Sequence, residues 1–171
     1  MNDPVEDIVC VEVDGLTLEI GVAPGAAALD AGLPAVIASA ITAAKEAAGP
    51  VKGALTVMVD DDSRIRELNR LWRGFDKPTN VLSFPAPATQ YGRERSLGDI
   101  AISYETAARE AAAEDKSFAD HMAHLSVHGF LHLLGYDHES DDDAEEMEEL
   151  ERAILARIGI SDPYVVHDAK G

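Results

Sequence analysis

The chain has 171 residues, 46% hydrophobic content and a formal net charge of −18 at pH 7. That length supports one full core and is short for two, so a single domain over residues 1–171 is expected. The charge argues against nucleic-acid binding by bulk electrostatics, the lone Cys10 excludes a disulfide framework, and no run of about 18 apolar residues offers a membrane span.

The first residues, Met1 to Asp7, are acidic rather than basic-then-apolar as in a secretory signal, so a cytoplasmic location is expected. Residues 8–13 are rich in β-branched side chains and read as a strand in which Cys10 is expected to be buried. Asp14-Gly15 marks a turn, and residues 16–20 pair back as a hairpin. Pro24-Gly25 closes that region. Residues 33–48 carry Val36, Ile37, Ala40, Ile41 and Ala44 at helical spacing and stop at Gly49-Pro50. Residues 54–59 form a buried strand. Asp60 to Ser63 supply caps for a helix over 64–72 with Ile65, Leu68, Leu71 and Trp72 on one face.

Residues 79–84 are a strand ending at Pro85, residues 87–92 a loop, and residues 97–103 another strand. A helix follows over 104–115. Ser117 caps a long helix through Phe118, Met122, Leu125, His128 and Leu131 to Leu134. A last helix covers 139–158, with Met147, Leu150, Ile154 and Ile158 inward, and the tail from about residue 161 is irregular. This order predicts an α+β (mixed α/β) fold, a small mixed sheet flanked by helices.

Charge is unevenly spread. Arg64, Arg66, Arg70, Arg73, Lys77, Arg93 and Arg95 face only Glu67, Asp76 and Glu94 in the same span, whereas residues 139–151 hold nine acids and no base. A local basic surface on an acidic protein is therefore available. For Arg64 and Arg66 an ordinary solvated helix face is the preferred reading. The acidic stretch reads as a solvated face, with docking to a basic ribosomal protein as the functional alternative.

His128 and His132 stand four apart, so a helix places both on one face. Gly135 suits a helix terminus, after which the chain can return His138 toward the pair. Three imidazoles on one point suit a zinc-type divalent ion with an open fourth position for water, the arrangement of a catalytic site. The spacing follows the outline H-E-x-x-H-x-x-G-x-x-H, but Gly129 stands where that pattern carries its general base. His124 shares the helix face, yet it lies roughly 12 Å along the axis from His132 and cannot join the same ion with both partners. It is a candidate proton-relay or orienting residue. His121 is expected to face solvent and His167 to be incidental. Asp137 is a candidate orienting carboxylate or a turn cap.

The block His128-Gly-x-Leu-His132-Leu-x-Gly-Tyr-Asp-His138 resembles the signature of the YbeY family of bacterial endoribonucleases, or rRNA maturation factors. Asn69-x-x-Trp-Arg73-Gly-Phe-Asp-Lys77-Pro-Thr-Asn80-Val-Leu-Ser-Phe84-Pro and Leu97-Gly-Asp99-Ile-Ala-Ile-Ser103 are similar to two further blocks of that family, in the same order. Asn80 departs from it, since many members carry Asp there.

The resemblance implies a metal, taken as zinc, on His128, His132 and His138, and an essential arginine at Arg73. It also implies single-strand-specific RNA cleavage in 3′-end maturation of small-subunit (16S) rRNA and ribosome quality control. On that reading Arg73 clamps the scissile phosphate and His124 is the best candidate for a general base. The expected partners are single-stranded rRNA and, further, ribosomal proteins or the small subunit. A non-catalytic assembly factor with a structural metal is the alternative, followed by a metalloprotease.

Overall fold

Residues 7–86, 96–137 and 139–164 are described by a computed structural model of the chain. The expected loop at 87–92, with Arg93, Arg95, His138 and His167, lies outside these residues.

β1 (Asp7–Val13) and β2 (Leu16–Val22) form an antiparallel hairpin in which Val13 faces Leu16. Its two turn residues, Asp14 and Gly15, both take positive φ, as the tight turn of a twisted hairpin demands. A short helix α1 (Pro24–Leu29) follows, where the sequence suggested only a break. Pro24 is the reason, because proline is well placed in a first helical turn that needs no N–H partner. α2 (Leu33–Ala48) buries Leu33, Ile37, Ala40, Ile41 and Ala44 as one stripe.

β3 (Gly53–Asp60) then runs parallel to β2, and α3 (Asp62–Arg73) starts on Asp61, whose side chain accepts from Arg64 N–H at 2.9 Å. β4 (Val81–Pro85) and β5 (Ser96–Ser103) complete a five-stranded sheet of order β1-β2-β3-β5-β4. β5 is parallel to β3 and antiparallel to β4, which is an edge strand. The β3–β5 register shifts between Ala54 and Leu55. Gly98 sits there at φ +136°, and a Cβ on it would collide with the Phe84 carbonyl.

α4 (Tyr104–Ala113), α5 (Phe118–Leu133) and α6 (Asp141–Arg157) follow. α2 and α5 pack on one face of the sheet, over Leu18, Ile20, Leu55, Val57, Ile100 and Ile102, and α6 packs on α2 and α5. α3 covers the other face through a much smaller cluster of Ile65, Leu82 and Ala101. That cluster ends before the last turn of α3. Leu71 and Trp72, expected inward with Ile65 and Leu68, are therefore exposed. Cys10 is also exposed rather than buried, because β1 is the far edge of the sheet.

α3 is locked to α4 by Asp62. Its carboxylate accepts from Ser103 Oγ at 2.5 Å, Thr106 Oγ1 at 2.6 Å and Arg109 Nη2 at 2.9 Å. Burial alone would raise its pKa, but these donors together hold it below the ordinary carboxylate value. The N-terminal end of α3 is thereby fixed, and Arg73 stands at its other end.

Candidate active site

Ser117 caps α5 by accepting from Asp120 N–H at 3.0 Å. The helix ends in a paired closure: Gly135 N–H donates to His132 O at 3.0 Å and Tyr136 N–H to Leu131 O at 3.0 Å. This Schellman arrangement needs a left-handed residue, and Gly135 supplies it at φ +104°. The helix therefore closes at Gly135, where the sequence expects its terminus.

One turn apart on α5, the rings of His128 and His132 have centroids 4.6 Å apart, and their Nε2 atoms lie at 3.1 Å. Two nitrogens bound to one tetrahedral ion at 2.0–2.1 Å would sit about 3.3–3.4 Å apart. The pair is thus within a few tenths of an ångström of ligand spacing. His138, the third expected ligand, lies outside the described residues.

The other face of His128 is anchored. Its Nδ1–H donates to Glu151 Oε1 at 2.6 Å, and His124 Nε2–H donates to Glu151 Oε2 at 3.0 Å. Tyr164 Oη–H donates to the same Oε2. Glu151 is fully buried. Burial pushes its carboxyl up, but the hydrogen bonds from His124, His128 and Tyr164 outweigh this and hold it at about 2. Burial next to this anion raises the Tyr164 hydroxyl, which stays protonated as a donor. With Nδ1 committed as donor, neutral His128 presents an Nε2 lone pair toward His132, which is the tautomer a metal requires.

His124, His128 and Glu151 also bring one ligand atom each within 4.8 Å of one another. At 2.6 Å, His128 Nδ1 and Glu151 Oε1 are closer than two ligands of one ion sit, and the spacing is that of an N–H donor on a carboxylate. The geometry therefore makes Glu151 an orienting anion behind the His128–His132 pair.

Glu151 and Tyr164 were not found by spacing arguments. A signal for Glu151 was present. It falls among Met147, Leu150 and Ile154 on the buried stripe of α6, and a carboxylate in an apolar stripe needs buried partners. Tyr164 lies in the irregular tail and carries no such mark.

His124 sits one step behind His128, its Nε2 on Glu151 and its Nδ1 buried with no hydrogen-bond partner among the described residues. His121, expected at the surface, is 4% exposed. Its Nε2 pairs with Glu110 Oε1 at 2.9 Å, and the reason is α4, which packs along this face of α5. Asp137 caps the turn by accepting from Glu139 N–H at 3.2 Å.

Asn80 has a defined role in this neighbourhood. Val81 N–H donates to its Oδ1 at 2.7 Å, which orients its Nδ2 toward both Glu110 oxygens at 3.1 and 3.3 Å. An Asn80→Asp substitution would set two carboxylates against each other. We expect it to cost about 1–2 kcal/mol at neutral pH. The like-charge repulsion raises the pKa of the pair, so the cost should shrink as pH falls and one carboxyl takes a proton. Urea unfolding at pH 7 and pH 4.5 measures this, and an equal loss at both values would contradict it.

Gly129 explains how the histidine pair meets the basic segment. A Cβ on it would lie 2.9 Å from Ile100 Cγ2 and 3.2 Å from Ser83 Oγ. Glycine is required because α5 rests directly on β4 and β5 at this point. Ser83 Oγ–H donates to Gly129 O at 3.0 Å, while Ser83 O accepts from Arg73 Nη2 at 2.6 Å. A single residue of the edge strand thus joins Arg73 to the helix turn that carries His128 and His132. The Arg73 guanidinium also lies 5.7 Å from the Phe84 ring centroid. Arg66 is drawn away from the site by Asp76 at 2.7 Å, in keeping with a solvated helix face.

A histidine pair at a helix end, backed by a buried carboxylate and tied to an arginine across an edge strand, is the layout of a metal-dependent hydrolase on an α+β scaffold. The chain belongs to the Endoribonuclease YbeY family, whose sequence pattern matches residues 28–159. Endoribonuclease YbeY of Nitrobacter winogradskyi is 56% identical over 142 residues, covering 79% of this chain and 75% of that protein. Endoribonuclease YbeY of Chelativorans sp. is 50% identical over 151 residues, covering 86% and 93%. A solution structure of TM1509 from Thermotoga maritima aligns with a TM-score of 0.51 at 26% identity, over 87% of this chain and 98% of that one.

Proposed function

We propose that this chain is a cytoplasmic, single-strand-specific endoribonuclease that matures the 3′ end of small-subunit (16S) rRNA and serves ribosome quality control. The reading rests on membership in the family together with one observation: Ser83 links Arg73 to the His128–His132 turn. We assign the metal to His128, His132 and His138, with zinc as the ion best matched to three imidazoles. When bound, such an ion supplies Lewis acidity and a water of lowered pKa.

The residues of the chain do the rest. Arg73 spends one N–H on Ser83 O and keeps its others for a phosphate, whose developing charge it stabilises. Glu151 fixes the tautomer and direction of His128. His124 acts through Glu151, since its Nε2 is spent there, and so serves as a positioning residue. The strongly acidic start of α6 repels RNA and leaves the α3 side as the approach. Ribosomal proteins of basic character are the natural macromolecular partners of that acidic helix.

Cleavage of a labelled single-stranded RNA by wild type, Arg73→Glu and His128→Ala tests this, alongside metal analysis of each protein. Both variants are expected to lose at least 100-fold in rate, Arg73→Glu while keeping its metal and His128→Ala while losing it. Equal cleavage by all three would point to a contaminating nuclease. Biological complementation by Arg73→Glu would favour the assembly-factor alternative.

A further inference from the structure

Beside Arg73 the sheet carries a cavity of about 660 Å³ on the α3 side, floored by Met58 and Leu68 and walled by Trp72, Arg73, Phe84 and Asp99. Trp72 is 69% exposed at its rim. An indole left largely in water forgoes a sizeable hydrophobic gain, so its placement calls for an occupant. It is not loosely placed: its ring meets Phe84 edge-on at 6.3 Å and 61°, and Phe84 is capped by the Arg73 guanidinium. Three residues on, Phe75 is 59% exposed with Lys77 Nζ 5.8 Å from its ring centroid. Aromatic faces alternating with cations are what a single nucleic-acid strand uses, bases on the rings and phosphates on the charges. A greasy protein partner would not call for the cations.

We propose that Trp72 is a base-stacking platform, and that the cavity beside it takes the unpaired nucleobase next to the phosphate held by Arg73. This deepens the endoribonuclease reading and rests on it. It supplies a physical source for single-strand preference, since a paired base must first be unpaired and unstacked to reach the indole, a cost that an unpaired base does not bear. Asp99 adds an acceptor to the cavity wall. Among the described residues no side chain donates to it, and partial burial raises its carboxyl. An exocyclic amine on the base is the matching donor.

Trp72 is the only tryptophan of the chain, so its fluorescence reports the site directly. The metal-loaded wild type would be mixed in a stopped-flow instrument with a single-stranded RNA octamer, the same octamer with abasic ribose at every position, and the corresponding duplex. Quenching before cleavage is expected with the single strand alone. Trp72→Ala is expected to weaken octamer binding about 5- to 100-fold and to raise KM more than it lowers kcat, while Trp72→Phe recovers most of the affinity. Equal quenching by the abasic octamer, or wild-type KM in a folded Trp72→Ala protein that still cleaves RNA, would overturn the platform and leave the RNA-cleaving reading intact. Failure of the wild type to bind or cleave any RNA would sink both.

Discussion

A Glu151→Gln protein is expected to bind zinc about 10- to 100-fold more weakly than wild type while remaining folded. The carboxylate now accepts from His128 Nδ1, His124 Nε2 and Tyr164 Oη. A carboxamide keeps the shape but turns one of its two acceptors into a donor. If that donor faces His128 Nδ1, the imidazole must move its proton to Nε2, the nitrogen directed at His132. Metal affinity then falls through tautomer choice, with no ligand removed.

Glu151→Ala is harsher, because it leaves three donors without an acceptor in a fully buried place. It should cost about 3–5 kcal/mol of stability. A competition titration with a chelating dye measures the first effect, and urea unfolding with the metal stripped measures the second. Wild-type zinc affinity in Glu151→Gln would remove the orienting role.

The second large effect concerns Gly129. Introducing glutamate there would restore the general base of the peptidase-like pattern in sequence. Gly129→Glu is nevertheless expected to lose more than about 3 kcal/mol of stability and to gain no peptidase activity. Its Cβ would already press on Ile100, and its carboxylate would be driven into the contact between α5, β4 and β5. Displacing Ser83 would also uncouple Arg73 from the histidine turn. Gly129→Ala separates the two costs. A methyl forces Ile100 to shift for about 1–3 kcal/mol, against about 1 kcal/mol regained in helix propensity. Thermal unfolding with paired RNA and casein assays reads all of this, and a stable Gly129→Glu protein that cleaves casein would reverse the substrate assignment.

Much of this arrangement was legible before the fold was in hand, for reasons of local physics. A spacing of four on a helix and a glycine that can turn left-handed are local properties, so they placed His128, His132 and the Gly135 turn directly. The same holds for caps: Asp61 and Ser117 act within three residues of themselves. The β-branched runs and the Ala-rich stripe of α2 located the sheet and its main cover. Where burial depended on neighbours far along the chain, local pattern failed. Cys10 looked buried and is exposed, because strand order puts β1 at an edge. His121 looked solvent-facing and is buried, because α4 supplies Glu110. Leu71 and Trp72 looked inward, but the cluster beneath α3 ends before them.

By itself, then, the sequence determined the family, most of the elements and the shared helix face of His128 and His132, since each is encoded in residues close together along the chain. Only the tertiary structure decided what stands behind and beside them. Glu151 comes from 23 residues beyond His128 to fix its ring. Ser83, 46 residues before Gly129, joins Arg73 to the α5 turn that carries His128 and His132. Gly129 first read as a missing base and became a packing requirement, because what a glycine makes room for is set by the strand laid across it. Orientation, burial and protonation are properties of neighbours, and this chain draws its neighbours from opposite ends of the fold.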